Sequence, residues 1–378
     1  DAAGNETIRN IAFAVVRPSD LEEKTFLSGV LTGEDLILTR DKSPYRVEGN
    51  ILVQEGETLT IESGVELRFA GSYYLKVDGE IVASGTKDAP VKFTRTKDNL
   101  YSWSGIRISN SATQLTVTNR YTRTDGCMLQ YCTFDYADYP LSLGSPTLVD
   151  HVQFINCTGA VQCSSSSLLM NSVFMQGLTV NNWNQTPTIK NNYIEKNLYI
   201  EAGGATVTGN TFKNGSISLR YNQSSLTNNV FDNTSLSVNY FGSAVTGNNF
   251  LNYTGTILDI AGNSYADYKK FTFTGNYWGE TQTAELILKG SNANLSFFND
   301  YYDNFEYTKI DCANWAAEPI DGAGYQGDAF IDFDYTVNGF DFATGGAYPE
   351  TDSASLSIAL TAFYHVNPIS QVRIAQSN

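Results

Sequence analysis

The sequence is poor in the groups that many enzymes and nucleic-acid binders rely on. It holds two histidines, five cysteines and three methionines in 378 residues. Cys127, Cys132, Cys157, Cys163 and Cys312 form no CxxC pair, and an odd number without that spacing argues against a zinc site. They read as small buried thiols, with one or two local disulfides left open for an oxidising compartment. Cations are scarce: 24 Lys and Arg face 40 Asp and Glu, a formal charge of −16. That balance speaks against nucleic acid or anionic lipid as the main partner, because both need cationic patches. No apolar run reaches the roughly 18 residues of a membrane-spanning helix. The chain begins at Asp1 without Met, and we read it as processed or as a segment of a longer protein.

What is present is apolar, aromatic and repetitive. Hydrophobic residues make up 42% and charged ones 17%, the balance of an ordered chain, and the 13% of aromatics favours strands. Residues 226–250, LTNNVFDNTSLSVNYFGSAVTGNNF, state one phrase twice: Leu226, Asn229 and Phe231 return as Val245, Asn248 and Phe250. Followed in both directions, the aromatic anchor falls at Phe134, Phe154, Phe174, Tyr193, Phe212, Phe231 and Phe250. Five residues earlier stand Leu129, Val149, Leu169, Thr188, Val207, Leu226 and Val245, and two residues earlier the last four units carry Asn191, Asn210, Asn229 and Asn248. A second alternating segment follows each anchor, as in Leu178/Val180, Leu198/Ile200, Ile217/Leu219 and Leu236/Val238.

A unit this short cannot bury its apolar face alone. Stacked units can, with each side chain resting on its own copy about 4.8 Å away. Phe212, Phe231 and Phe250 are then expected to stack inside, and Asn191, Asn210, Asn229 and Asn248 to form a ladder at a bend, in left-handed backbone. The spacers are Ser, Thr, Asn and Gly, poor helix formers, so a leucine-rich repeat is disfavoured. The expected fold is all-β: a right-handed parallel β-helix solenoid over about residues 30–300.

Upstream, residues 44–108 carry longer coils of the same logic, in PYRVEGNILVQEGETLTIESGVELRF, LKVDGEIVASGT, PVKFT and WSGI. This stretch resembles the opening coils of secreted right-handed β-helix proteins of the pectin-lyase-like superfamily. GNYWG at 275–279 resembles the NYWG signature that closes such helices in bacterial and archaeal surface proteins. The resemblance implies the fold and a secreted or cell-surface setting.

The ends read differently. DAAGNETIRNIAFAVV at 1–16 resembles the last strand of a bacterial immunoglobulin-like module, and a terminal Ig-like strand is assigned to 1–20. Residues 301–378 are read as an acidic linker and a partial Ig-like β-sandwich, with Leu356, Ile358, Leu360, Ala362 and Tyr364 alternating along a strand. Neither piece has the seven or so strands of a complete sandwich. The chain is read either as part of a multi-domain surface protein, or as a subunit whose first strand completes the last sheet of the next in a head-to-tail homopolymer. The acidic stretch holds calcium candidates Asp321, Asp328, Asp332 and Asp334, without an EF-hand pattern; no other cofactor is expected.

Catalytic signatures are absent. Glycosidases need two carboxylates flanking the scissile bond, and the NTD, DD, GHG and RIK motifs of polygalacturonases do not occur. His151 and His365 have no supporting motif and read as structural. The coils carry scattered acids (Asp135, Asp150, Glu195, Glu201, Asp232, Asp259) and bases (Lys190, Lys196, Lys213, Arg220) without a ladder of Asp. For sugar stacking, Tyr199, Tyr221 and Tyr240 advance by nearly one coil each and are expected to line one face; Tyr73, Tyr74, Tyr136, Tyr139, Trp183 and Tyr253 are further candidates. N-x-S/T sequons stand at Asn5, Asn156, Asn184, Asn214, Asn222, Asn233, Asn252 and Asn294, candidate glycosylation sites that an Asn-, Ser- and Thr-rich chain also produces by chance. The function expected is non-enzymatic: an extracellular spacer, surface-layer, adhesive or filament component, partnered by itself, by neighbouring surface modules or by glycans. The alternative is a carbohydrate-binding or polysaccharide-degrading β-helix.

Overall fold

The computed structural model describes residues 25–327 apart from 119–120, 183, 203, 223, 242–243 and 261–269, together with the strands Ile331–Val337, Phe340–Asp341 and Ile358–Tyr364. The terminal strand assigned to 1–20 lies outside the described residues. Most coils of the solenoid have three short strands joined by tight bends; in others a single longer strand, Tyr45–Val53, Thr211–Asn222 or Val230–Phe241, runs along faces two and three. Met128–Gln130, Cys132–Asp135 and Leu141–Leu143 form one coil and define faces one, two and three. Each strand pairs in parallel with its counterpart on the next coil. Face one is a ten-stranded sheet from Ile37–Leu38 to Val245–Thr246, a stack roughly 45 Å tall at about 4.8 Å per strand.

The strands are short because alternation must place one or two apolar residues inward before the chain turns. On face one the inward column runs Leu129, Val149, Leu169, Ile189, Val207, Leu226, Val245. On face two it runs Phe93, Phe134, Phe154, Phe174, Ile194, Phe212, Phe231, Phe250. Neighbouring rings of the Phe column lie 4.5–5.3 Å apart, and Trp278 closes it 4.6 Å from Phe250. Such offset aromatic pairs add to the burial of each ring.

This register corrects the sequence reading at one coil. Tyr193 pairs with Val173 and Thr211, so Ile194 occupies the aromatic column and Ile189, not Thr188, the one before it. Tyr193 instead faces away from the coil interior, buried against Val173 and Tyr325. The same one-residue shift removes Asn191 from the buried ladder. That ladder is Asn192, Asn210, Asn229, Asn248 and Asn276, all fully buried. Each side-chain oxygen from Asn210 to Asn276 accepts the main-chain N–H and the side-chain N–H of the previous member, at 2.9 and 3.0 Å. Each side-chain nitrogen also donates to a carbonyl on the strand below, as Asn229 does to Val207 O at 3.0 Å. A second correction concerns the backbone. The left-handed positions belong to the residue before each ladder member: Asn191, Gly209, Asn228, Gly247 and Gly275 have φ between 51° and 71°. The ladder amides must point inward, so the turn falls on their neighbours. GNYWG extends both columns, Asn276 the ladder and Trp278 the ring stack, before the helix Glu280–Lys289.

Residues 318–327 then run back across the coils. The amide of Asn249 exchanges hydrogen bonds with the backbone of Ile320 at 2.8 and 2.9 Å. Gly324 N–H donates to Asn228 O at 2.9 Å, Tyr325 N–H to Thr211 Oγ1 at 3.0 Å, and Gln326 N–H to Asn191 Oδ1 at 2.7 Å. Gly324 has φ +89°, and a Cβ there would lie 2.8 Å from Thr211 Oγ1 and Val230 Cγ2, so the strap lies flat only with glycine. Beyond it, Ile331–Val337 pairs antiparallel with Phe340–Asp341 and with Ile358–Tyr364, three strands of the region read as a partial sandwich.

All five cysteines are free and buried. Burial pushes the thiols of Cys127 and Cys312 up to about 11 and that of Cys157 to about 12. They pack as small apolar groups; Cys163, for example, sits between Leu143 and Val180 on face three.

Removing one rung of the ladder orphans buried N–H groups on one side and a carbonyl on the other. Asn229→Ala is expected to cost about 2–4 kcal/mol, whereas Asn228→Gly, which keeps the left-handed turn, costs less than about 1 kcal/mol. Guanidinium denaturation midpoints of the two variants check this; equal midpoints would contradict the ladder.

Candidate functional site

The outward side of face three is one continuous column. Leu52, Lys76, Arg107, Ser142, Gln162, Thr179, Tyr199, Ser218, Ser237 and Asp259 follow one another in register. Lys76 and Arg107 point out because Leu75/Val77 and Ile106/Ile108 point in. At this end of the column lies a groove of about 950 Å³, whose walls include Gln54, Asp78, Ser109, Ser104 and Tyr139.

Its polar groups are held in place. The Arg107 guanidinium lies 4.1 Å over the ring of Tyr74, a cation–π contact. Lys76 Nζ is 2.8 Å from Asp78 Oδ2, and Ser109 Oγ donates to Asp78 Oδ1 at 2.5 Å. The Lys76 and Ser109 hydrogen bonds hold the Asp78 carboxyl below its usual range. A carboxylate kept ionised in this way is suited to orienting a cation, not to donating a proton as a general acid. Tyr139 is 58% exposed and presents its ring at the rim. The arrangement can therefore hold a chain of hydroxyls and anionic groups through the Arg107 guanidinium, the Lys76–Asp78 pair, amides, hydroxyls and an aromatic rim.

The other candidates are placed as follows. Tyr199 is in the same column, but its cross-coil partner is Ser218, and its hydroxyl donates to Glu201. Tyr221 lies between Arg220 and Asn222, which pair with Asn239 and Phe241, so it falls level with Tyr240. The three tyrosines therefore do not form the single file expected from their spacing: Tyr199 is three positions out of register with the other two. Tyr74 and Tyr136 carry Arg107 and Arg95 over their rings, and Tyr73 and Tyr253 pack partly against the core. Trp183 lies outside the described residues.

His151 occupies a left-handed bend, stacked 4.4 Å from Tyr131, with Nδ1 2.8 Å from Asp150 Oδ1; His365 is outside the described residues. Lys213 pairs with Asp232 at 3.6 Å. Asn156, Asn214, Asn233 and Asn252 occupy the left-handed residue of the bend between faces two and three. Each donates its amide N–H to the preceding coil, to Asp135, Glu195, Asn214 and Asp232 respectively. The bend thus accounts for these asparagines irrespective of any glycan. Asn184 and Asn294 are exposed, the latter bonded to Tyr302 O at 3.3 Å; Asn222 lies on a strand, and Asn5 is outside the described residues. Asp321 is exposed, Asp328 is outside the described residues, and Asp332 and Asp334 alternate along Ile331–Val337. Among the described residues no three His, Cys, Asp or Glu side chains gather as a metal site.

Lys76, Asp78, Arg107 and Ser109 were missed by sequence reasoning. The signal was there: LKV and IRI each place one cation at the outward position of an otherwise apolar triplet.

The profile of the pectate-lyase like beta helix domain matches residues 29–139, the segment that carries most of this groove. Together with the solenoid, this match supports a place among the pectin-lyase-like β-helices. Protein bark beetle of Drosophila melanogaster is 33% identical over 81 residues, which is 21% of this chain and 3% of that protein. No solved structure matches the chain.

Two carboxyls elsewhere on the coils are held ionised by their neighbours. Arg46 and Thr96 hold the carboxyl of Asp98 down at about 2. Burial opposes ionisation of Asp150, but the close approach of His151 and the hydrogen bonds from Gln130 and Asn171 outweigh it. A carboxyl with a lowered native pKa contributes stability above its unfolded value that is lost as pH falls through the native one. The melting temperature is therefore expected to drop more steeply between about pH 4 and 2 in the wild type than in Asp98→Asn; parallel curves would count against the pairing.

Proposed function

We propose that this chain is a non-catalytic, secreted or cell-surface β-solenoid that acts as a stiff rod and holds an anionic glycan strand in the groove of face three. The observation that carries this reading is the pair Lys76 and Arg107, stacked on adjacent rungs beside the exposed Tyr139. Asp78 pairs with Lys76, so the local preference for anions rests on Arg107, held over the ring of Tyr74 and in no ion pair among the described residues. The tyrosine rim and the flanking Ser and Gln side chains suit sugar rings and hydroxyls. The rod role follows from nearest-neighbour stacking, and the extracellular setting rests on the resemblance of residues 44–108. Modules beyond residue 327 would join the rod to neighbouring surface proteins or to further copies of itself.

A glycan array probed with the whole chain, with and without calcium, tests the reading. Binding to uronate- or sulfate-bearing glycans is expected, weakened about tenfold or more in Arg107→Ala and unchanged in Tyr199→Ala. Binding confined to neutral glycans would refute it. Shortening of the bound polysaccharide over time would replace it with the degrading enzyme.

A further inference from the structure

A second pocket lies on face one, around the bend from the groove. Where one coil passes from face three to face one through residues 144–147, the coil before it uses 109–127. The extra residues form an antiparallel ribbon, Thr116–Val117 against Arg123–Asp125, tied back by Leu115 N–H to Pro146 O at 3.0 Å. Between ribbon and sheet is a space of about 540 Å³, within the size range of small-molecule sites.

Its lining is unusual for the outside of a sheet. Met128, Leu148 and Met170 point outward in the strand pattern, because Leu129, Val149 and Leu169 point in, yet Leu148 and Met170 are buried. Asp150 lies on the floor, but its oxygens already accept Gln130 Nε2 at 3.0 Å and Asn171 Nδ2 at 2.7 Å. Arg123 is engaged by Glu80 and by Gly126 O. Lys190 is different. Its ammonium lies 5.5 Å from the ring centre of Tyr121, and among the described residues no carboxylate lies within ion-pair distance of it. The partly exposed ring of Tyr121, a floor of Leu148 and Met170 beside Asp150, and an exposed cation without an acidic partner among the described residues thus meet under the ribbon.

We propose that this pocket binds a small organic carboxylate, with the carboxylate on Lys190 and a ring or short acyl body between Tyr121 and Met170. The site is separate from the glycan groove and stands whether or not that groove binds glycans. Thr122 and the amide oxygen of Gln130 supply further polar contacts for substituents on the body.

Saturation-transfer NMR and titration calorimetry on the whole chain test the proposal, with benzoate, phenylacetate, hexanoate and galacturonate as probes and benzamide and hexanamide as uncharged counterparts. At least one carboxylate is expected to bind, with its amide about tenfold weaker or worse, as befits the loss of a charge-assisted contact. Lys190→Ala is expected to remove that preference, Lys190→Arg to keep most of it, and Lys196→Ala, an exposed cation at another bend, to leave it intact. Tyr121→Ala, on the ribbon and outside the solenoid core, is expected to weaken binding without lowering the melting temperature. No binding by any carboxylate at millimolar concentration, equal binding of the amides, or an unchanged affinity in Lys190→Ala would overturn the assignment.

Discussion

A polar side chain in the middle of an apolar solenoid is costly unless its hydrogen-bonding groups are used. The buried asparagines meet that condition collectively. Asn210 satisfies Asn192, Asn229 satisfies Asn210, and so on to Asn276, while each spare N–H reaches a carbonyl on the strand behind. The ladder therefore fixes the register of the coils: a slip by one residue would strand several buried amides at once. The Phe column has no such directional demand, and it accepts Ile194 in place of a ring. Apolar stacking supplies much of the burial, and the amides decide which residue faces which.

Much of the architecture could be read from the chain. The period, the parallel stacking, the ring column and most of the ladder follow from spacing alone. The error at Tyr193 and Asn191 is instructive. Reading by aromatic type chose Tyr193, whereas the coil needed whichever residue the buried amide placed inward, and that amide is Asn192. Asn191 was available for another task and caps Gln326. Tyrosine spacing misled for a simpler reason: Tyr221 stands 22 positions after Tyr199, whereas the coil between them advances by 19 and brings Ser218 level with Tyr199.

The functional surfaces were less legible because they join distant stretches. The groove needs residues from Leu52 to Ser164 to align, and only the triplets LKV and IRI hint at it. The pocket on face one exists because an insertion folds over a sheet that the sequence had already assigned to plain coils. The strap is further out of reach: Gln326 meets Asn191 across 135 positions, and nothing in the local pattern of EPIDGAGYQG announces a partner.

That strap couples rungs that lie several coils apart. A stack held only by adjacent rungs frays from whichever terminus opens more easily. Ile320–Gln326 stitches the rungs of Asn249, Asn228, Thr211 and Asn191 together, so thermal opening of any one of them must also strip the stitching. The stitched rungs then open as one unit. A pull exerted through residues after 327 enters the stack several rungs inside its terminus and is shared by those bonds, instead of peeling the outermost coil.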